Sequence, residues 1–154
     1  MLVPKLAGVA VAATLVAGVG AAALASGGDD FKTRLSGAEE APGPGDPDGR
    51  GKAEIEIRAS VSKSEVCFEL EWDDIGTPTA GHIHQAPPRV PGPIVVDLLG
   101  GFTADELERD DEVKACVPGD PAVLAAILAD PGAYYVNVHN ARFPAGAIRG
   151  QLDG

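Results

Sequence analysis

Basic side chains are scarce in this chain: Lys and Arg number 12 against 23 Asp and Glu, a net charge of -11 at pH 7. That shortage argues against nucleic acid as a partner, because phosphate backbones are held by clustered Lys and Arg. It argues equally against docking on anionic lipid. The acidic excess reads as a solvated surface that aids solubility. Familiar catalytic signatures are missing as well. No serine stands in a Gly-x-Ser-x-Gly turn, no glycine loop ends in Lys-Ser or Lys-Thr, and no segment repeats. Cysteine is limited to two residues and histidine to three, so thiol or imidazole chemistry has very few positions to work from.

The first 25 residues read as an export signal rather than as fold. Met1 to Lys5 carries one positive charge, Leu6 to Leu24 is an uncharged run of mostly Ala, Val, Leu and Gly, and Ala23-Leu24-Ala25 offers small residues where a signal peptidase reads them. The expected division is a signal peptide over 1–25, a flexible acidic lead-in over 26–30 and one domain over 31–154. The rival is an uncleaved anchor, since the run comes close to spanning a bilayer. No cysteine follows it directly, which argues against lipid attachment there. After cleavage no stable membrane insertion is expected.

Glycine (20) and proline (13) are plentiful, as short strands joined by turns require. Residues 52–59 alternate apolar and charged without a break, which is a half-buried antiparallel strand. In 66–72, Val66, Phe68, Leu70 and Trp72 share one face and Cys67, Glu69 and Glu71 the other, so the two segments form a hairpin. Further strands are expected over 31–36, 79–85, 93–99, 112–117, 133–140 and 147–152. Asp120-Pro121 starts a helix over 121–129 as cap and first residue. The Gly- and Pro-rich stretch 37–49 is a loop, and its Asp46-Pro47-Asp48-Gly49 a turn. About eight strands and one short helix imply an all-β fold, a Greek-key β-sandwich or flattened barrel. Cys67 and Cys116 both leave the outer faces of their strands. In an exported chain they are expected to form a disulfide.

Three segments together resemble the CHRD (chordin) domain. They are Leu35-Ser36-Gly37-Ala38-Glu39-Glu40-Ala41-Pro42, then Ala80-Gly81-His82-Ile83-His84 followed by Gly92-Pro93-Ile94-Val95-Val96. The third is Tyr134-Tyr135-Val136-Asn137-Val138-His139 followed by Phe143-Pro144-Ala145-Gly146-Ala147-Ile148-Arg149-Gly150-Gln151-Leu152. The resemblance spans about residues 31 to 152 and suggests a single-domain secreted member of the bacterial type. In chordin the domain recurs in a secreted antagonist of bone morphogenetic proteins whose other modules bind most of the ligand. None of those modules is present here, so that activity does not transfer. What the resemblance implies is a secreted, non-catalytic binding or structural module with an unidentified extracellular ligand.

A second expectation comes from the histidines. His82 and His84, two apart on a strand, leave the same face with backbones roughly 6.5 Å apart. His139 shares a face with Tyr135 and Asn137. Neutral imidazoles suit copper or zinc. His-x-His on one strand and Val-His on a later one is similar to the copper ligand pattern of copper/zinc superoxide dismutase, also a Greek-key sandwich. That similarity implies His82, His84 and His139 as copper ligands and Arg149 as a charge nearby. A fourth, bridging histidine and the zinc ligands are missing, since the region 85–92 offers only Gln85, so dismutase turnover is the weaker alternative. The bland alternative is a polar cluster bonded to Asn137, Gln151 or main chain. If metal binds, affinity is expected to fall as pH drops through the histidine range near 6.5.

Overall fold

The structure is a computed structural model that describes residues 29–60 and 62–152. The expected signal peptide, the start of the lead-in and the last two residues lie outside the described residues. Eight strands form: β1 (Asp29–Ser36), β2 (Arg50–Ala59), β3 (Ser64–Asp73), β4 (Pro78–Gln85), β5 (Ile94–Asp97), β6 (Glu112–Pro118), β7 (Tyr134–Asn140) and β8 (Ile148–Gln151). The alternation read in the sequence is what builds them. In β2 the apolar Ala53, Ile55 and Ile57 are buried between the outward Lys52, Glu54, Glu56 and Arg58, and Ile55 pairs with Phe68 of β3. Burying a side chain the size of Ile55 or Leu70 stabilises by about 2 kcal/mol.

All pairings are antiparallel, in the order β5-β4-β7-β8-β1-β2-β3-β6. β1 to β3 form a meander, whereas β7 inserts between β4 and β8, which is the long-range crossing of a Greek key. The sheet folds on itself. Gly81 of β4 lies opposite Leu70 of β3, so close that a Cβ there would meet a Leu70 methyl at 3.6 Å and Leu99 at 2.8 Å. Between the two halves Leu35, Ile55, Leu70, Ile83, Val136 and Ile148 are almost wholly shielded from water. Trp72 joins this core, as its place on an apolar face implies.

The helix α2 (Pro121–Ala129) starts as expected: the Asp120 carboxylate accepts from the Ala122 and Val123 amides at 2.8 and 3.3 Å, and Leu124 and Ile127 face the core. A second helix, α1 (Ala104–Arg109), was not anticipated. Its signal is Thr103 followed three residues later by Glu106, whose carboxylate accepts from the Thr103 N–H and hydroxyl, both at 2.8 Å. Some boundaries also move. β5 stops at Asp97 instead of 99, because the Leu98 and Leu99 amides both turn to the Gly81 carbonyl. β1 begins at Asp29, inside the expected lead-in.

Cys67 and Cys116 stand directly opposite each other on β3 and β6 and are joined by a disulfide. Around it the outer face is a ladder of ion pairs: Lys32 with Glu54 at 2.7 Å, Lys52 with Glu71 at 3.0 Å, and Lys114 with Glu69 at 3.0 Å.

Candidate metal centre

The outer face of the other half is also polar, yet much of it is covered. Period-two alternation sends out His82 and His84 from β4, Tyr135, Asn137 and His139 from β7, and Arg149 and Gln151 from β8. Register then makes them neighbours: His82 lies opposite Asn137, His84 opposite Tyr135, Asn137 opposite Arg149, and Tyr135 opposite Gln151. Two loops roof this face. Arg149, 1% exposed, donates to the Pro87 and Val90 carbonyls at 2.9 Å each and to Gln151 Oε1 at 3.3 Å. Gln151 in turn donates to the Ala86 and Gly132 carbonyls at 2.7 Å. Its amide therefore serves the loops and takes no histidine. Arg149 also lies over the Tyr135 ring, 3.4 Å from its centre, and Tyr135 stacks on His84 at 4.8 Å. The arginine thus belongs to the neighbourhood of the histidines, one ring removed from His84.

The three imidazoles converge. His82 Nδ1 is 3.2 Å from His139 Nε2, and one nitrogen from each of the three rings lies within 4.8 Å of the others. Two backbone carbonyls fix the tautomers. His84 Nδ1 donates to the Gly92 carbonyl at 2.8 Å and His139 Nδ1 to that of Pro144 at 3.1 Å. A neutral ring held this way presents the lone pair of Nε2 inward. His84 is 7% exposed, and its Nε2 is buried with no hydrogen-bond partner. Asn137 Oδ1, another acceptor, stands 3.1 Å from His139 Nε2. Acceptors outnumber donors here.

Electrostatics keep the His82 and His139 rings neutral. Burial, then the charges of His139 and His84, hold the His82 pKa down at about 4, against a partial opposing pull from Asp97. Burial likewise lowers His139, opposed by the Pro144 carbonyl. Uncharged imidazole is the form that binds a cation.

One buried carboxyl completes the face. Glu40 follows a 3-10 turn at Gly37–Glu39, and burial pushes its pKa up to about 7, opposed by the Arg149 charge, the Ala41 amide and the Asn137 side chain. In the sequence Glu40 stands within the first CHRD-like segment but with no role attached, because it sits in a loop rather than on an alternating strand. Tyr135 and Asn137 did carry a signal, four and two residues before His139 on the same face.

Two other groupings of possible ligands are chemically occupied. Glu65 adjoins Cys67 and Cys116, whose sulfurs are bonded to each other, and Glu69, Glu71 and Glu112 are taken up by Lys52 and Lys114. Among the described residues no helix is long and apolar enough to cross a membrane.

Neither a curated protein nor a solved structure matches the chain. The family model for the CHRD domain matches residues 31–152, from the middle of β1 to just past β8, taking in both roofing loops and all three histidines. The chain belongs to the CHRD domain family.

Proposed function

We propose that this is an exported, non-catalytic module that holds one divalent transition-metal ion, copper first, through His82 Nδ1, His84 Nε2 and His139 Nε2. The observation that carries the reading is the unpartnered, buried Nε2 of His84. Leaving a buried acceptor unsatisfied costs about 1–3 kcal/mol, which a ligated cation would recover. The 3.2 Å between His82 and His139 nitrogens suits two ligands on one ion with bonds near 2.0 Å. His84 offers a nitrogen within 4.8 Å of the other two, so an adjustment of its ring brings it to the same ion. Carbonyls on the far nitrogens of His84 and His139 are the usual orienting partners of metal-bound imidazole. Copper is favoured because imidazole sites bind it most tightly among the divalent first-row ions. Holding rather than turnover is the reading because all three histidines of the chain are spent on one ion. The disulfide supports export, since such bonds persist in oxidising compartments.

Calorimetric titration of the purified chain with Cu(II) tests this. One ion per chain should bind with a dissociation constant below micromolar, and His84→Ala or His139→Ala should weaken it at least 100-fold. Affinity unchanged in either variant would mean that the histidines only hold loops together. The lowered pKa of His82 and of His139 also revises the expected pH dependence. Protons compete only below the folded-state pKa, so Cu(II) should stay bound at pH 6 and be lost toward pH 4.

A further inference from the structure

Glu40 is a buried carboxyl under the roof that the three-histidine reading leaves unused. Its chain segment turns back against β7 and β8, and Gly146, at φ 140, packs so tightly on the carboxyl that a Cβ there would lie 2.4 Å from its carbon. Glu40 Oε1 is buried without a partner. The Asn137 side chain lies between this carboxyl and His139: its oxygen is 3.1 Å from His139 Nε2, and it stands close enough to Glu40 to pull that carboxyl's pKa down. Asn137 itself is 2% exposed, so the amide has no other solvent contact to choose. The cation facing Glu40 is Arg149 from β8, whose Nη donors are committed to Pro87, Val90 and Gln151, while Arg142 lines the same hollow.

We propose that Glu40 is the counter-charge of the three-histidine centre, acting through the Asn137 amide to favour Cu(II) over Cu(I). This rests on the metal-binding reading above. Three neutral imidazoles bring no charge of their own, so a divalent ion enters a desolvated face with both charges uncompensated. Two carboxylates are near. Asp97, opposite His82 on β5, is exposed and accepts from the Gly100 amide at 2.8 Å, so water screens it. Glu40 is shielded, and the Asn137 amide stands between it and the ion with its oxygen on the His139 side. Burial leaves the Glu40 carboxyl poised near neutrality when no cation is present, with a pKa of about 7. A nearby divalent ion favours its ionised form. The pull is smaller for Cu(I), which carries half the charge. Glu40 touches no ligand nitrogen in this arrangement and is a positioning residue.

The test compares the full chain with Glu40→Gln, an isosteric change that removes only the charge. Cu(II) affinity is measured by competition with a chromophoric chelator, and Cu(I) affinity anaerobically with a Cu(I)-selective one. Glu40→Gln should weaken Cu(II) about tenfold and Cu(I) less than twofold, which raises the copper potential by about 60 mV. The metal-free variant should melt higher than wild type at pH 7.5, by roughly 5 °C, since it no longer buries an ionisable carboxyl. Equal losses for both ions would mark a structural role and overturn the proposal, as would no change in either. A second measurement needs no variant. Difference infrared spectra of wild type at pH 6.5 should lose a protonated-carboxyl band when Cu(II) is added, and an unchanged band overturns the proposal. If wild type binds no Cu(II), the metal centre itself falls and the counter-charge with it. If wild type binds and the ratio of affinities stays fixed, only the role of Glu40 fails.

Discussion

The two outer faces of one sheet begin from the same sequence rule and end as different chemical environments. On β2, β3 and β6 the outward residues are mostly Lys, Arg and Glu, many of them in water, and Lys52 with Glu71 and Lys114 with Glu69 pair across strands at 3.0 Å. Exposed pairs of this kind contribute little, because water already solvates both charges. On β4, β7 and β8 the outward residues are His, Tyr, Asn, Arg and Gln, and loops 37–49 and 86–93 cover them. There Arg149 and Asn137 are 1% and 2% exposed and their polar atoms are met inside the protein, while His84 Nε2 and Glu40 Oε1 stay buried without a partner. Alternation makes a polar face. A roof makes it a site.

Reducing the disulfide, or replacing Cys116 by Ser, is the largest test of the independence of the two faces. The bridge closes a loop with a sequence separation of 49 residues, worth about 4 kcal/mol on the chain-entropy account. Stability by chemical denaturation should fall by that order, while Cu(II) affinity of the still-folded protein stays within twofold. A tenfold loss of affinity would show that the faces are coupled. Arg149→Met attacks the roof instead. It leaves the Pro87 and Val90 carbonyls without their donor, and removing one partner of such a buried charged network costs about 3 kcal/mol. Hydrogen exchange at the Gly92 amide, which donates to the Tyr135 hydroxyl at 3.2 Å, should accelerate, because the loop is no longer tied down.

pH separates the faces at intermediate scale. His82 is held at about 4 in the fold against an ordinary 6.5, so the unfolded chain takes up a proton that the fold refuses, and stability falls as pH drops from 6.5 to 4. Glu40 acts oppositely. Its folded pKa of about 7 against 4.5 means that stability is full below 4.5 and is lost as pH rises toward 7, by about 3 kcal/mol. In metal-free wild type the two trends offset. Melting curves of Glu40→Gln should therefore reveal a rise in stability from pH 4 to 6.5 that wild type conceals; parallel curves would contradict it. The smallest effect belongs to the solvated ladder. Lys52→Ala removes its pair with Glu71 and should change stability by less than 1 kcal/mol.

What was legible follows from the same contrast. Strand periodicity gave the burial of Ile55, Leu70 and Ile83, the outward placement of both cysteines, and the shared faces of His82 with His84 and of His139 with Asn137. Local chemistry gave the Asp120 cap of α2. Helix α1 was overlooked although Thr103 and Glu106 stand at the right spacing, since six residues are too few to set up a helical apolar stripe. The roof was not legible. Glu40, Pro87, Val90 and Pro144 lie in Gly- and Pro-rich segments without periodicity, and their contacts with Arg149, Asn137 and His139 depend on how loops fold back over a completed sheet. The direction of the histidine pKa shifts was unreadable for the same reason, because desolvation comes from that cover.

The crossing that inserts β7 between β4 and β8 has a consequence in time. His82 and His139 are separated by 57 positions along the chain, whereas β2 and β3 need only a short turn to meet. Pairings of long sequence separation form late, after their loop-closure entropy has been met by earlier contacts. Until β7 docks, a copper ion meets at most the His82 and His84 pair. A third nitrogen is supplied only by the finished sheet. On the proposed three-histidine reading, tight capture is thus a property acquired at the end of folding, and an incompletely folded chain would have no complete centre with which to compete for the ion.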